Sequence, residues 1–564
     1  MLKTLKLVFV FFLLSPLANA QDLRLFDDFP YSYLPVQQAN DSTIIHTSIR
    51  SRYPFYENKE LWKSSRVGKR NIWQWLNDKA FHEPMVVVKQ PAFYLTVDPL
   101  VDFETGRELM SGKSTWVNTR GAQAFGMIGN LSLCHTSAFL QPLNPAKAGT
   151  EKNESKHRGL FTFYSRLFES QAVFPPYLDS ITRRLRVVPG QGMQAIRGDV
   201  VDHGYSEAWI RYQPNRIFSF EAGHGQNFLG DGYRSLILSD VARAYPYFRI
   251  DTRIWRIHYV NIWAEHQDIN YRNSYEDGYQ KKYGAFHYFS IEVTRRMQVS
   301  FFEAIIAQGR DSTHLRGFEI NYLNPIIFFR PLEWTMGSPD NALMGMNVNY
   351  RIGKSWWVYG QLMLDEFKLS HIKAWDGWWG NKQGGQLGIK GRIHLTRNPQ
   401  SATRNMQRFL FFRSEFNAAR PYMYAHKTSK QNYGHWNQSL AHPLGANFME
   451  WVNFIRFRWD HLAVEGRYSR AKFGSDYDGL NWGSDIYKSY ETYVNEFGNY
   501  IGQGLENILT YKILTVSYLL NPFTNLNLFA KIIDRHQITP GHDKHDLWFT
   551  LGLRSSVRNL YYDF

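Results

Sequence analysis

Glu207-Ala208-Trp209-Ile210-Arg211-Tyr212-Gln213, then Pro214-Asn215-Arg216-Ile217, then Phe218-Ser219-Phe220-Glu221-Ala222 form two alternating runs joined by a turn. Successive side chains of an extended chain point to opposite faces. Ala208, Ile210 and Tyr212 therefore share one face with no charge, and Glu207 and Arg211 share the other. The Pro-Asn dipeptide reverses the chain, and Phe218, Phe220 and Ala222 return opposite Ser219 and Glu221. The pair reads as a β-hairpin with one apolar and one wet face.

The same unit recurs along the chain. Met344, Met346, Val348, Tyr350 and Ile352 run into Gly353-Lys354, and Val358, Gly360, Leu362 and Leu364 run out opposite Gln361. Trp451, Ile455, Phe457 and Trp459 reach Asp460-His461, followed by Leu462, Val464, Gly466 and Tyr468 opposite Glu465 and Arg467. Leu514, Val516, Tyr518 and Leu520 meet Asn521-Pro522, and Leu526, Leu528, Ala530 and Ile532 return. Long polar, Gly- and Trp-rich stretches separate these short turns, an asymmetry that belongs to outer-membrane barrels. Residues 93–564, at about 26 residues per strand and its connections, predict roughly 18 antiparallel strands within a range of about 14 to 20. The fold class is all-β: a transmembrane outer-membrane β-barrel. Leu560, Tyr562 and Phe564 alternate at the end of the chain and read as a closing terminal strand.

Composition agrees. The aromatic content is 16%, with 34 Tyr and 18 Trp, while mean hydropathy is only −0.42. A soluble protein of this length would carry more aliphatic core. A barrel wall reconciles the two values, since alternate residues meet lipid, their neighbours meet water, and aromatic girdles mark both interfaces. Lys3 and Lys6 precede the apolar run Leu7 to Leu14 and Ala18-Asn19-Ala20, which predicts a cleaved secretory signal over residues 1–20. Residues 21–92 are expected as an N-terminal periplasmic segment with short helices, with Ile72, Trp73, Trp75, Leu76 and Ala80 at helical spacing before Pro84. That segment is too short for the plug domain of a TonB-dependent transporter, so the lumen is expected to be empty or filled by loops of the barrel itself. The one cysteine, Cys134, leaves no intramolecular disulfide. A formal net charge of +15, reduced by two on loss of the signal, favours anionic partners. For an exported chain these are outer-membrane lipid, lipopolysaccharide and acidic polysaccharide, and no nucleic acid.

Two clusters stand out as candidate binding groups. Trp375, Asp376, Trp378, Trp379 and Asn381 offer indole faces for pyranose rings beside a carboxylate and an amide that take hydroxyls. The same cluster also reads as an interfacial girdle. His224, Asp231 and Arg234 lie in a segment with four glycines, Gly223, Gly225, Gly230 and Gly232, that brings a base, a carboxylate and a guanidinium around an anionic sugar or folds as an inward loop fixed by its own ion pair. It lacks the lysine and hydroxyl pair of a phosphate loop. Arg211, Glu207, Glu221, Arg413, Glu415, Arg456, Arg458, Glu465 and Arg467 take the inward phase and either brace the bore or select permeants.

No catalytic residue, metal or cofactor is expected. Asp365-Glu366 and Glu276-Asp277 are adjacent, and adjacent strand residues cannot flank one glycosidic bond. His426, His435, His442, His542 and His545 lack the helical spacing of a zinc hydrolase.

Seven stretches, His46–Arg50 (HTSIR), Gly223–Ser235 (GHGQNFLGDGYRS), Tyr275–Gly284 (YEDGYQKKYG), Asn321–Pro325 (NYLNP), Gly337–Ala342 (GSPDNA), Asp376–Lys382 (DGWWGNK) and Ala441–Asn447 (AHPLGAN), resemble the RemB-type gliding-motility outer-membrane proteins. These are similar in turn, at the level of fold, to the Wzi capsule-assembly barrels. The resemblance implies an outer-membrane protein that binds or displays surface polysaccharide or an adhesin, linked to gliding motility or capsule assembly, with gliding-machinery proteins as partners. From the Wzi-like barrels it implies about 18 strands, a periplasmic helical element and lectin-like attachment of capsule. It brings no agreed active-site motif. A passive porin or export conduit, and a structural scaffold of the motility machinery, stand beside this reading, because fold alone does not fix function.

Overall fold

The computed structural model describes residues 46–50, 71–90, 92–129, 159–192, 195–215, 217–274, 278–310, 316–326, 340–353, 355–395, 408–521, 523–555 and 561–564. The expected signal segment lies outside the described residues.

Eighteen antiparallel strands close into a barrel. They are β2 (Phe93–Glu108), β3 (Ser114–Ile128), β4 (Leu160–Val173), β6 (Val200–Gln213), β7 (Phe218–Gly225), β8 (Tyr245–Ile254), β9 (Ile257–Ser274), β10 (Gly278–Thr294), β11 (Met297–Gln308), β12 (Asn341–Ile352), β13 (Trp356–Leu364), β14 (Gln383–His394), β15 (Arg408–Ala419), β18 (Phe448–Trp459), β19 (Leu462–Ser475), β20 (Leu505–Asn521), β21 (Leu526–Thr539) and β22 (His542–Arg554). Each pairs with its neighbour in chain order, and the ring closes where β22 meets β2, from Asp102 opposite Arg554 to Glu108 opposite Trp548. Beyond that seam a short strand β1 (Val86–Gln90) covers the free edge of β2, with Val86 opposite Val97. Another short strand, β5 (Ala195–Arg197), lies along β6, and β16 (Gly434–His435) and β17 (Gln438–Ser439) form a small hairpin within a loop.

Period-two alternation sorts the wall as the sequence predicts. Leu514, Val516 and Tyr518 on β20, Leu528 and Ile532 on β21, and Phe549 and Leu551 on β22 are exposed on the outer face, where lipid covers them. Arg211, Glu221, Arg413 and Glu415 are buried on the inner face. Arg211 opposes Glu221 across β6 and β7 and bonds it at 2.6 Å, so these charges brace the wall. Trp255, Trp459 and Tyr518 form an exposed aromatic girdle near one end.

That end carries short reversals at 214–217, 255–256, 295–296, 353–355, 460–461 and 522–525, and the opposite end carries the connections 226–244, 309–340, 365–382, 420–447 and 476–504. At the two-residue turn between Trp459 and Leu462, Asp460 takes the left-handed φ of 54° that a tight hairpin requires. By the barrel rule the turn end is periplasmic. Helix α1 (Ile72–Phe81) sits there as expected, capped by Asn71 and held by Asn521, whose Nδ2 donates to Lys79 O, Ala80 O and Glu83 O. The asymmetry has exceptions: the connections 129–159 and 395–407 are long at the turn end, and 109–113 and 540–541 are short at the loop end.

One expectation is corrected. Residues 561–564 do not form a closing strand; among the described residues the last strand is β22, and Asp563 lies in the lumen. Leu560 lies outside the described residues. Ser555, just past β22, exchanges hydrogen bonds with the backbone of Val101, and Asp563 meets two guanidinium groups inside the barrel, those of Arg234 and Arg467.

Leu514→Arg puts a charge near the middle of the lipid face and is expected to cost about 2–4 kcal/mol. Thr515→Arg on the inner face is expected to cost less. Equilibrium unfolding by urea in lipid vesicles measures both.

Candidate functional site

The lumen is filled by the chain itself. After β7 the connection 226–244 turns inward, nearly all of it buried, and reaches the wall formed by β12 to β18. Asp231 Oδ1 accepts from Thr47 Oγ1 at 2.5 Å and Asn349 Nδ2 at 2.7 Å, its Oδ2 accepts from Asn347 Nδ2 at 3.0 Å, and its backbone oxygen accepts from Lys390 Nζ at 2.8 Å. Glu415 accepts from the backbone N–H groups of Tyr233 and Arg234. Gly232 must lack a side chain there, since a Cβ would meet the Glu415 carboxylate at 2.5 Å. Arg234 bonds Glu450 at 2.8 Å and lies 3.1 Å from Asp563. Burial alone would lower its pKa, but the Asp563 and Glu450 carboxylates outweigh that and hold it well above the ordinary value.

Two further segments fasten this plug. At the N-terminal side, Gly230 N donates to Ser48 O, Ile49 bridges Leu229, and the Arg50 guanidinium lies over the Phe228 ring. From the connection 420–447, Tyr424 and Tyr433 donate to the backbone oxygens of Leu236 and Ile237, and His442 bonds Glu450 at 2.8 Å. The expectation of a loop-filled lumen holds for the described residues.

Of the three residues grouped in the Gly-rich segment, Asp231 and Arg234 are both in the plug, each paired to the wall or the tail and not to the other. His224 is not with them. Its place in β7 gives it the opposite phase to Glu221, so it faces outward and its ring contacts Ser206 O at 3.1 Å.

The tryptophan cluster lies in the connection 365–382, following helix α3 (Leu369–Ala374) at the loop end. Left-handed φ values at Trp375 (52°) and Gly377 (68°) turn its side chains in different directions. Trp375 is 91% exposed. Asp376 Oδ2 lies 2.5 Å from His371 Nδ1, and that hydrogen bond holds the Asp376 carboxyl below its ordinary range. Trp378 stacks on His371 at 4.9 Å. Trp379 stacks instead on Tyr493 at 4.9 Å, beside Tyr490, and joins this loop to the connection 476–504. Asn381 is buried and accepts from Lys368 N. Trp375 thus remains at the surface and Asp376 and Trp378 are half-buried beside it, while Trp379 and Asn381 hold the loop cap together. Asp365 and Glu366 stand beyond the end of β13 and both approach Lys382, at 3.3 and 3.5 Å.

Beside the plug, on the β18–β22 and β2–β4 side, a cavity of about 330 Å³ extends from His461 and Asn525 at the turn end to Tyr177 on helix α2 (Pro176–Leu185) at the loop end. Asp102, Glu104, Lys531 and Arg554 line it, and none was singled out from sequence. Their inward phase was the available signal; their proximity across the seam was not.

No protein-family model matches the chain, and no curated protein matches its sequence. Among solved structures it is similar to Wzi, an outer-membrane protein involved in group 1 capsule assembly in Escherichia coli and a carbohydrate-binding β-barrel, with a TM-score of 0.51 and 11% identity over 95% of this chain and 100% of that one. OprD of Pseudomonas aeruginosa aligns with a TM-score of 0.38 and 10% identity over 81% of this chain and 94% of that one. The likeness to Wzi is one of fold: both are outer-membrane-type β-barrels in architecture.

Replacing Arg234 by Met leaves the Glu450 and Asp563 carboxylates buried without their shared guanidinium. The expected loss of stability is about 3–5 kcal/mol, the range for breaking a buried ion pair from one side. Unfolding in detergent, with limited proteolysis to report on the plug, checks it.

Proposed function

We propose that this barrel binds or displays surface polysaccharide at its loop end, in surface motility or capsule assembly. The observation that carries the reading is the division of labour among its polar groups. Asp231 and Arg234 are spent on fixing the plug, whereas Trp375 stands exposed on the cap formed by the long connections, with Asp376 and Trp378 half-buried beside it. An exposed indole offers a flat apolar face to a sugar ring, and a carboxylate held by His371 offers an acceptor to its hydroxyls. The carbohydrate-binding character of Wzi and the resemblance to RemB-type proteins support the same direction. The gliding link rests on that resemblance alone, with an adhesin or gliding-machinery proteins as the partners it suggests.

A porin or export conduit is the second reading, favoured by the cavity beside the plug. The two differ in what they require of the lumen: a polysaccharide anchor works with a closed bore, and a conduit does not.

Purified full-length protein is expected to retain a uronic-acid polysaccharide in a pull-down, and Trp375→Ala with Trp378→Ala to weaken that retention more than tenfold. In planar bilayers the unmodified barrel is expected to stay electrically closed. Stable single-channel conductance without polysaccharide retention would replace this reading with the conduit.

A further inference from the structure

The seam that closes the barrel gathers two acids and two bases on its inner face. Arg554 donates to Asp102 Oδ2 through Nε at 3.0 Å and through Nη2 at 2.7 Å, and its Nη2 also donates to Glu104 Oε1 at 3.0 Å. Lys531 Nζ donates to Glu104 Oε2 at 2.6 Å. Read for stability alone, this is a clasp across β2, β22 and β21. The exposures add a second role. The Asp102 and Glu104 side chains are sunk in the wall at 4% and 8% exposure, while Arg554 and Lys531 stand forward at 35% and 20%. On another wall of the same cavity Arg467 repeats the arrangement, with Asp563 buried behind it.

Buried acids therefore aim the bases, and the bases face the open space. Arg554 spends Nε and Nη2 on the wall and Lys531 spends one of three N–H donors, so donors remain for a ligand. Phe529 lies between them, its ring centre 5.7 Å from the Arg554 guanidinium carbon and 5.4 Å from Lys531 Nζ. A cavity of about 330 Å³ is large enough for a small ligand.

From this geometry we infer a second binding site, in the cavity beside the plug, that takes an acidic saccharide. Its carboxylate sits between Arg554 and Lys531, and its ring lies against Phe529. The site is separate from the loop cap and does not depend on the reading given to that cap.

The test uses the full chain in detergent and titrates it calorimetrically with digalacturonate, cellobiose and inorganic phosphate. Digalacturonate is expected to bind, cellobiose not to bind, and phosphate to bind more weakly because it leaves Phe529 unused. Lys531→Gln is expected to weaken digalacturonate about tenfold or more, as for loss of a hydrogen bond to a charged group. Lys531→Arg retains most of the affinity. If Lys531→Gln does not fold, Phe529→Leu, which spares the ion pairs, is expected to weaken binding severalfold. Absence of digalacturonate binding, equal affinity for cellobiose, phosphate binding as tightly as digalacturonate, or indifference to both the Lys531 and Phe529 changes would each overturn the acidic-saccharide site. Loss of polymer retention by the loop variants would leave it standing.

Discussion

Inside hydrocarbon there is no water to take up a peptide N–H or C=O, so every backbone group along the wall must find its partner in a neighbouring strand, and a sheet with free edges cannot satisfy that demand. Closure of β22 on β2 is the answer in this chain, and other features follow from it. Alternation of side chains is forced once the ring is closed, because one face of each strand meets lipid and the other meets the bore. Where β22 ends at Arg554, the remaining edge of β2 is covered by β1, so the seam is not left open. The ion pairs of Arg554 and Lys531 with Asp102 and Glu104 then lock the strands where the pairing is short.

A ring this wide leaves a bore that must be either wet or filled, and here the filling is costly in charge. Arg234, Glu415, Glu450 and Asp563 are all buried in the lumen, and such groups are tolerable only when each is matched. The matching draws on three parts of the chain beside the wall, namely the connection 226–244, His442 of the loop 420–447 and the last four residues, while the segment 46–50 fastens Asp231. The plug is thus fixed by polar contacts at its centre and by apolar packing of Leu229, Leu236, Ile237 and Leu238 around them. What the plug leaves is a cavity on one side, backed by acids and faced by bases, and a loop cap above it.

The barrel was legible in the sequence because its signal is local. Alternation in Glu207–Ala222, Met344–Leu364 and Trp451–Tyr468 needs no knowledge of what lies across the bore, and the inward phase of Arg211, Glu221 and Glu415 follows from it. The plug was legible only as an inward loop, since the partners of Arg234, Glu450 and Asp563, lie 216 residues away in the first case and at the far end of the chain in the second. His224 was grouped with Asp231 by proximity in sequence, whereas the strand phase of β7 separates them. Trp375, Trp378 and Trp379 read as one surface, but the left-handed residues Trp375 and Gly377 split it, a backbone feature that composition does not reveal. Tyr562 and Phe564 alternate as a strand would, but Asp563 between them pairs with Arg234 and Arg467, partners that local alternation does not reveal.

Closure is the claim on which the account stands, and amide hydrogen exchange of the full chain in lipid bilayers tests it most directly. The account predicts that the amides of residues 102–108 and 548–554 exchange as slowly as those in the continuous ladder of β20 and β21. Rapid exchange confined to those two segments would mean an open sheet, and a largely helical spectrum in the same bilayers would contradict the barrel altogether.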